Sequence, residues 1–295
     1  MNEAQMQKVA TGAGFIAALD QSGGSTPKAL EHYGVPEAAY ASDEEMFDLM
    51  HEFRSRIITA PAFDGDRILG AILFEQTMDR DVAGMAAPSY LWERRNVVPF
   101  VKVDEGLAAE ADGVRLMKPF AKLESVLERA RRRQVFGTKM RSFISRAHAG
   151  GITAVVDQQF EYALKILDAG LVPILEPEVD ITSTEKALAE RLLRQDITER
   201  LPSVPEGQQV MFKLSIPTED DFYADLIRHP KVLRVVALSG GYPQQEANAR
   251  LARNHGLIAS FSRALTEGLR QQQSDEEFDQ VLAASVKAIH QASIT

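Results

Sequence analysis

The 295-residue chain contains no cysteine. Disulfides, thiolate nucleophiles, iron–sulfur clusters and Cys-ligated zinc are thereby excluded together. Histidine is scarce as well. His32, His51, His148, His229, His255 and His290 are scattered without H-x-H or H-x3-H spacing, so no metal site is expected. No stretch approaches the ~18 consecutive apolar residues of a membrane span. The N-terminal MNEAQMQKVATGAG is polar and lacks the apolar centre of a signal peptide, which points to the cytoplasm. Basic residues fall short of acidic ones, 33 against 42, for a formal net charge of −9. That balance argues against a nucleic-acid partner or an anionic membrane surface. A phosphate-bearing ligand would need a locally basic pocket within an acidic shell.

Against these absences stands a repeated pattern. Eight apolar runs rich in Val, Ile and Leu recur at 14–20, 68–75, 97–104, 135–140, 171–179, 209–216, 232–240 and 257–264. Most are continuous rather than alternating, as in strands covered on both faces of a parallel sheet. The segments between them read as helices. Met46, Leu49, Phe53 and Ile57 lie at helical spacing within 44–58, behind possible caps at Ser42 and Asp43. The stretch 155–170 ends at Gly170, a suitable C′ residue. Ser274 and Glu277 form a capping box ahead of a C-terminal helix. Residues 204–209 read as a loop rather than a linker. Strand then helix, eight times over, predicts an α/β protein with a (β/α)8 barrel as a single domain over 1–295.

Several charges interrupt the apolar runs. Asp20, Glu75, Lys102, Lys139, Glu176 and Lys213 lie in or at the ends of predicted strands. Lys102, Lys139, Glu176 and Lys213 follow one another at intervals of 37 residues, which predicts similar heights on successive strands. Any one of them could be a strand-end charge reaching solvent. Taken together they are costly unless mutually paired or functional, because an unpaired buried charge costs several kcal/mol. In a closed barrel they would converge at the C-terminal mouth, where active sites of this fold lie. Two neighbouring lysines have a chemical use there. Burial and like charge favour a neutral amine, which attacks carbonyls to form an imine, and a nearby carboxylate such as Glu176 or Asp20 can carry protons.

A second constellation lies near the C-terminus. SGGY, residues 239–242, follows the seventh strand, and SFSRA, residues 260–264, reads as part of the eighth. Loops after these strands often hold phosphate. Gly240 and Gly241 would let backbone N–H groups approach an oxyanion, and Arg263 would supply a charged fork, although a Gly-Gly pair alone equally describes a turn. DQSGGST, residues 20–26, is a further Gly-rich turn, with hydroxyls at Ser22 and Ser25.

The assembled motifs GFIAALDQSGGSTPKAL, VPFVKVDEG, GTKMRS, VPILEPEVD, MFKLSIPT, LSGGY and IASFSRAL span nearly the whole chain. In this combination the sequence resembles the class I fructose-bisphosphate aldolases, particularly their short bacterial branch. The resemblance implies a metal-independent lyase without a cofactor, in glycolysis or gluconeogenesis, that cleaves fructose 1,6-bisphosphate through a lysine Schiff base. It makes Lys213 the Schiff-base lysine, Glu176 the general acid/base with Glu178 as its neighbour, and Asp20 the aspartate acting at the C4 hydroxyl. Lys139 and Arg141 match the basic pair near the lysine and the far phosphate, and Lys102 a substrate-binding lysine. Ser239, Gly240 and Arg263 match the phosphate site on the dihydroxyacetone-phosphate side, and Ser22 and Ser25 match serines near the other phosphate. The sequence departs from the animal members in two places. Gln21 stands where they have Glu, and the last twelve residues, ASVKAIHQASIT, lack the Tyr that exchanges a proton on the enamine. A barrel residue such as Glu176, or Tyr242, would have to take that step. The rival readings are a Schiff-base aldolase for another phosphosugar, such as tagatose bisphosphate, and a noncatalytic phosphosugar-binding barrel. The latter would have little reason to keep Lys139, Glu176 and Lys213 together.

Overall fold

A computed structural model describes residues 2–22 and 24–295. All eight apolar runs contain strands: β1 Phe15–Leu19, β2 Ile68–Leu73, β3 Val98–Lys102, β4 Gly137–Ile144, β5 Val172–Val179, β6 Val210–Ser215, β7 Val232–Leu238 and β8 Ile258–Ala259. Each pairs parallel with the next in chain order. The ring closes where the Ala18 N–H donates to the Phe261 carbonyl at 3.1 Å. A short strand, Val114–Arg115, adds antiparallel to the end of β4.

The continuous apolar character of the strands has a direct consequence in two separate layers. One set of alternating positions, including Ile16, Ile72, Phe100, Ile174, Met211, Val236 and Ile258, fills the barrel interior. The other set, including Ala17, Leu73, Val101, Leu175, Phe212 and Val235, packs outward against the helices. Neither face meets water, so neither needs polar residues.

The outer layer comprises α2 Thr26–Tyr33, α3 Asp43–Thr59, α4 Leu123–Arg132, α5 Ala149–Asp168, α6 Lys186–Arg200, α7 Gln244–Leu251 and α8 Asp275–Ser293. Ser42 caps α3 by accepting from the Glu45 N–H, the helix of Asp168 stops ahead of Gly170 at φ +78°, and the Ser274–Glu277 capping box is formed. Before β1, α1 Glu3–Thr11 closes the floor of the barrel, with Met6, Val9 and Ala10 packed on the interior layer. The inward-facing Arg234 of β7 binds its C-terminal end, donating to the carbonyls of Ala10 (2.8 Å) and Gly12 (2.9 Å).

Three expectations need correction. Strand–helix alternation weakens twice among the described residues: β2 is followed by a single turn, Glu75–Met78, and a short helical stretch over 87–94, and β6 by the single turn Ala224–Ile227 alone. Pro217, Pro230 and the left-handed Asp221 (φ +56°) leave little room for a helix after β6. The third concerns the 257–264 run, of which only Ile258–Ala259 is strand; Arg263 opens a helical turn, Arg263–Thr266, beyond it. Among the described residues no helix is long and apolar enough to cross a membrane.

Candidate active site

On five of the eight strands, β1 and β3 to β6, the inward positions change from apolar to charged toward the C-terminal end. Ile16 and Ala18 are followed by Asp20, Phe100 by Lys102, Gly137 by Lys139, Ile174 by Glu176, and Met211 by Lys213. Asp20, Lys139, Glu176 and Lys213 meet there. Lys139 Nζ lies 2.6 Å from Asp20 Oδ2 and 2.8 Å from Glu176 Oε2, and Lys213 Nζ lies 3.0 Å from Glu176 Oε1. Lys213 is 4% exposed and Lys139 2%, so these are charges taken out of water and balanced against one another.

The equal 37-residue spacing is only partly equal register. Lys102 pairs directly with Lys139. Leu175 pairs with Phe212, which brings the next residues, Glu176 and Lys213, side by side. Between β4 and β5, however, Lys139 is level with Ile174, and Glu176 stands opposite Arg141. Closing a sheet into a barrel requires such stagger. The long lysine side chain spans the two-residue step.

Electrostatics follow from these distances. Burial drives the Asp20 carboxyl up, but Lys139, with Lys213 and Lys102 behind it, outweighs burial and holds it well below the usual carboxylate range. Glu176 is likewise held down, with burial and Asp20 opposing Lys139, Lys213 and Arg141. Burial disfavours the Lys139 ammonium, yet Asp20, Glu176 and Asp104 together raise its pKa above the ordinary lysine value. Lys139 is therefore not merely a like charge beside Lys213; it is a fixed cation between two carboxylates.

Two further pairs flank the cluster. Lys102 does not join its carboxylates. Its Nζ contacts Asp104 Oδ1 at 2.7 Å and the Asp104 carbonyl at 2.8 Å, and Asp104 also accepts from the Arg141 N–H at 3.2 Å. One residue pair along the strands, Arg141 Nε binds Glu178 Oε2. Glu75 stays apart: it lies off the inward series of β2, in the turn that follows, and pairs with Arg129 on α4.

On the opposite side of the mouth, Ser239–Tyr242 forms a turn closed by the Tyr242 N–H on the Ser239 carbonyl at 3.0 Å. Gly240 (φ +61°) and Gly241 (φ +114°) both require glycine's backbone freedom, and a Cβ on Gly240 would lie 2.5 Å from Ile181 Cγ2. Arg263 Nη2 is 3.5 Å from where a Cβ on Gly241 would stand, so guanidinium and loop are adjacent. The ring of Tyr242 packs against the Arg250 guanidinium of α7, 4.4 Å from ring centre to Cζ. In the 20–26 turn, Ser25 Oγ accepts from the Ser22 N–H and donates to the Ser22 carbonyl, while Gln21 Nε2 reaches Ser262 Oγ at 2.7 Å. Gly23 of that turn lies outside the described residues. The last residues run to the other end of the barrel. Ser293 Oγ accepts from the Ala259 N–H at 3.1 Å and the Thr295 carbonyl from the Gly256 N–H at 3.3 Å, beside the entry to β8.

Among the described residues no group of three or more His, Asp and Glu side chains is arranged to hold a metal ion. Asp104 and Arg54, which the sequence reading did not single out, both belong to the surroundings of the site. Asp104 follows Lys102 by two residues in VKVDEG, the spacing of a strand's same face, and that was the signal available.

Comparison with known proteins agrees with this architecture. The family model for class-I fructose-bisphosphate aldolase matches residues 1–200. The class 1 fructose-bisphosphate aldolase of Synechocystis sp. is 58% identical over 294 residues, covering 100% of this chain and 98% of its own. That of Clostridium acetobutylicum is 57% identical over 295 residues and covers 100% of both. Among solved structures, fructose-bisphosphate aldolase from Plasmodium falciparum shares the fold with a TM-score of 0.70 at 21% identity, over 99% of this chain and 94% of that one. With relatives this similar over their full length, and with a buried chain of contacts from Asp20 through Lys139 and Glu176 to Lys213 at the mouth of its barrel, the chain belongs to the class I fructose-bisphosphate aldolase family.

Proposed function

We propose that the protein reversibly cleaves fructose 1,6-bisphosphate into dihydroxyacetone phosphate and glyceraldehyde 3-phosphate, with Lys213 as the covalent nucleophile. The observation that carries the assignment is the buried contact of Lys213 Nζ with Glu176 Oε1 at 3.0 Å, beside Lys139. Glu176, held as a carboxylate, can take a proton from the Lys213 ammonium along that contact. The freed amine attacks the C2 carbonyl, forming a C–N bond and a carbinolamine. Glu176 returns its proton to the C2 hydroxyl, which leaves as water, and an iminium remains.

The iminium draws the electron pair of the C3–C4 bond toward nitrogen. Asp20, also held as a carboxylate, accepts the C4 hydroxyl proton as that bond breaks and the aldehyde departs. The enamine then gains a proton at C3, and water releases the ketone from Lys213. Lys139 keeps both carboxylates ionised before each takes its proton. Arg263, with the Ser239–Gly240–Gly241 turn, would hold the phosphate of the ketone half. Arg141 and Lys102, with Ser22 and Ser25, would face the other half. A residue already fixed on a strand, such as Glu176, suits the proton return at C3, because it needs no mobile segment to reach the site.

The test is substitution of the nucleophile. Lys213→Met should fold as the parent does and lose cleavage by at least about three orders of magnitude, the scale of removing a covalent nucleophile. Retention of a tenth or more of the parent rate would move the nucleophile elsewhere.

A further inference from the structure

The inner face of α3 carries one residue that packing does not explain. Met46, Met50, Phe53 and Ile57 form its apolar stripe, and Arg54 is buried beside them at 1% exposure. An arginine so deeply buried normally meets a carboxylate. Among the described residues the hydrogen-bond partners of Arg54 are neutral. Nη1 donates to Thr77 Oγ1 at 2.8 Å, and Nη2 to the Gln21 carbonyl and to Gln21 Oε1. Its Nε is buried without a partner. The charged groups that face it are Asp20, attractive, and Arg80, repulsive and itself paired with Asp48 at 2.6 Å. Burial lowers its pKa to about 9, against the pull of Asp20, so it remains a cation at neutral pH.

The neutral partners share a location. Gln21 directly follows Asp20, and its Nε2 binds Ser262 Oγ, next to Arg263. Thr77 lies in the turn after β2. One guanidinium thus ties the ends of β1 and β2 and, through Gln21, the segment after β8, at the seam where Ala18 meets Phe261. Asp20 is faced by Lys139 from β4, Lys213 from β6, Lys102 from β3, Glu176 from β5 and Arg54 from α3. The charge of Lys139 is divided between two carboxylates. That of Arg54 is not offset by a carboxylate of its own.

We propose that Arg54 is a positioning residue for carbon–carbon cleavage: its hydrogen bonds fix the end of β1 so that Asp20 meets Lys139, and its charge steadies the Asp20 carboxylate. The inference rests on the reading of Asp20 as the base toward the C4 hydroxyl. When the bond breaks, the iminium on Lys213 becomes a neutral enamine, and one cation facing Asp20 is lost. Arg54 takes no part in that exchange, and its hydrogen bonds to Gln21 and Thr77 hold the end of β1 in place while Asp20 takes up the proton.

Adduct formation with dihydroxyacetone phosphate, trapped by borohydride, needs Lys213 and Glu176 but no C4 hydroxyl. Bisphosphate cleavage needs Asp20 as well. Arg54→Met should therefore form the trapped adduct within about twofold of the parent rate, while the kcat of cleavage falls about tenfold or more with KM little changed. Arg54→Lys should recover part of the lost kcat. Arg54→Gln, which keeps a hydrogen-bonding group in the pocket, substitutes if the methionine variant does not fold, with the same split expected. Unchanged cleavage in these variants, or adduct formation and cleavage falling in equal proportion without rescue by lysine, would overturn the proposal. Asp20→Asn runs in parallel. If it cleaves normally, the reading of Asp20 fails and this inference with it. If Asp20→Asn is impaired and the Arg54 variants are not, only the inference fails.

Discussion

Replacing Lys139 by methionine would leave the Asp20 and Glu176 carboxylates facing each other in a site nearly closed to water. Breaking a buried ion pair from one side typically costs about 3–5 kcal/mol. Because both acids ionise more readily folded than unfolded, their contribution to stability is present above about pH 4 and is lost as pH falls below it. Lys139 holds its proton more tightly when folded, so its contribution is complete below about pH 10 and fades only above that. The stability gap between the parent and Lys139→Met should accordingly be widest between about pH 5 and pH 9 and narrow toward pH 3, as denaturant unfolding would register. A gap that does not change with pH would show that the cluster is not ionised as described. The same variant should slow formation of the dihydroxyacetone-phosphate adduct rather than abolish it, since Lys213 and Glu176 remain. At the phosphate turn, Arg263→Ala should weaken both dihydroxyacetone phosphate and the bisphosphate by about 1.5–3 kcal/mol, the usual loss of a charge-assisted contact. Calorimetric titration showing an unchanged affinity for dihydroxyacetone phosphate would shift the anchor to the turn at Ser22 and Ser25. Single residues were legible where they broke a pattern: a lysine or glutamate inside an apolar strand stands out because its burial is expensive. Arg54 breaks no visible pattern, because an arginine on an amphipathic helix reads as a solvated one until the neighbouring elements are packed around it.

Secondary elements were legible in proportion to their length and periodicity. α3 and α8 announced themselves through caps and buried stripes, and each apolar run supplied a strand. The register between strands was not legible. The two-residue step between Lys139 and Glu176 arises from closure of the whole ring, a property no local segment carries. Nor was α1 anticipated, since its polar sequence offers only Met6, Val9 and Ala10 to the barrel floor. Arg234 makes that docking specific by binding two carbonyls at the end of α1. Arg234→Met should lower stability by about 2 kcal/mol, as expected for losing hydrogen bonds from a charged donor. It should leave the kcat of the folded enzyme near that of the parent, because the floor lies at the far end of the barrel from Lys213. A loss of kcat without loss of stability would mean that the floor and the mouth are coupled.

At the scale of the molecule, an acidic protein with a net charge of −9 would, on the proposed function, meet a doubly phosphorylated substrate with cations concentrated where its strands end. Lys102, Lys139 and Lys213 come from β3, β4 and β6, Arg141 from β4, and Arg263 from the turn after β8. Folding gathers them, and the carboxylates between them keep the cluster neutral enough to be buried. The central claim is that one of these lysines, Lys213, forms the covalent intermediate, without help from a metal. The direct measurement is to incubate the protein with dihydroxyacetone phosphate in the presence of EDTA, reduce with borohydride, and locate the added mass by peptide sequencing. The account predicts a single adduct on Lys213 in the MFKLS segment, formed as readily with the chelator as without it. An adduct on Lys139 or Lys102, or none until zinc is restored, would contradict it.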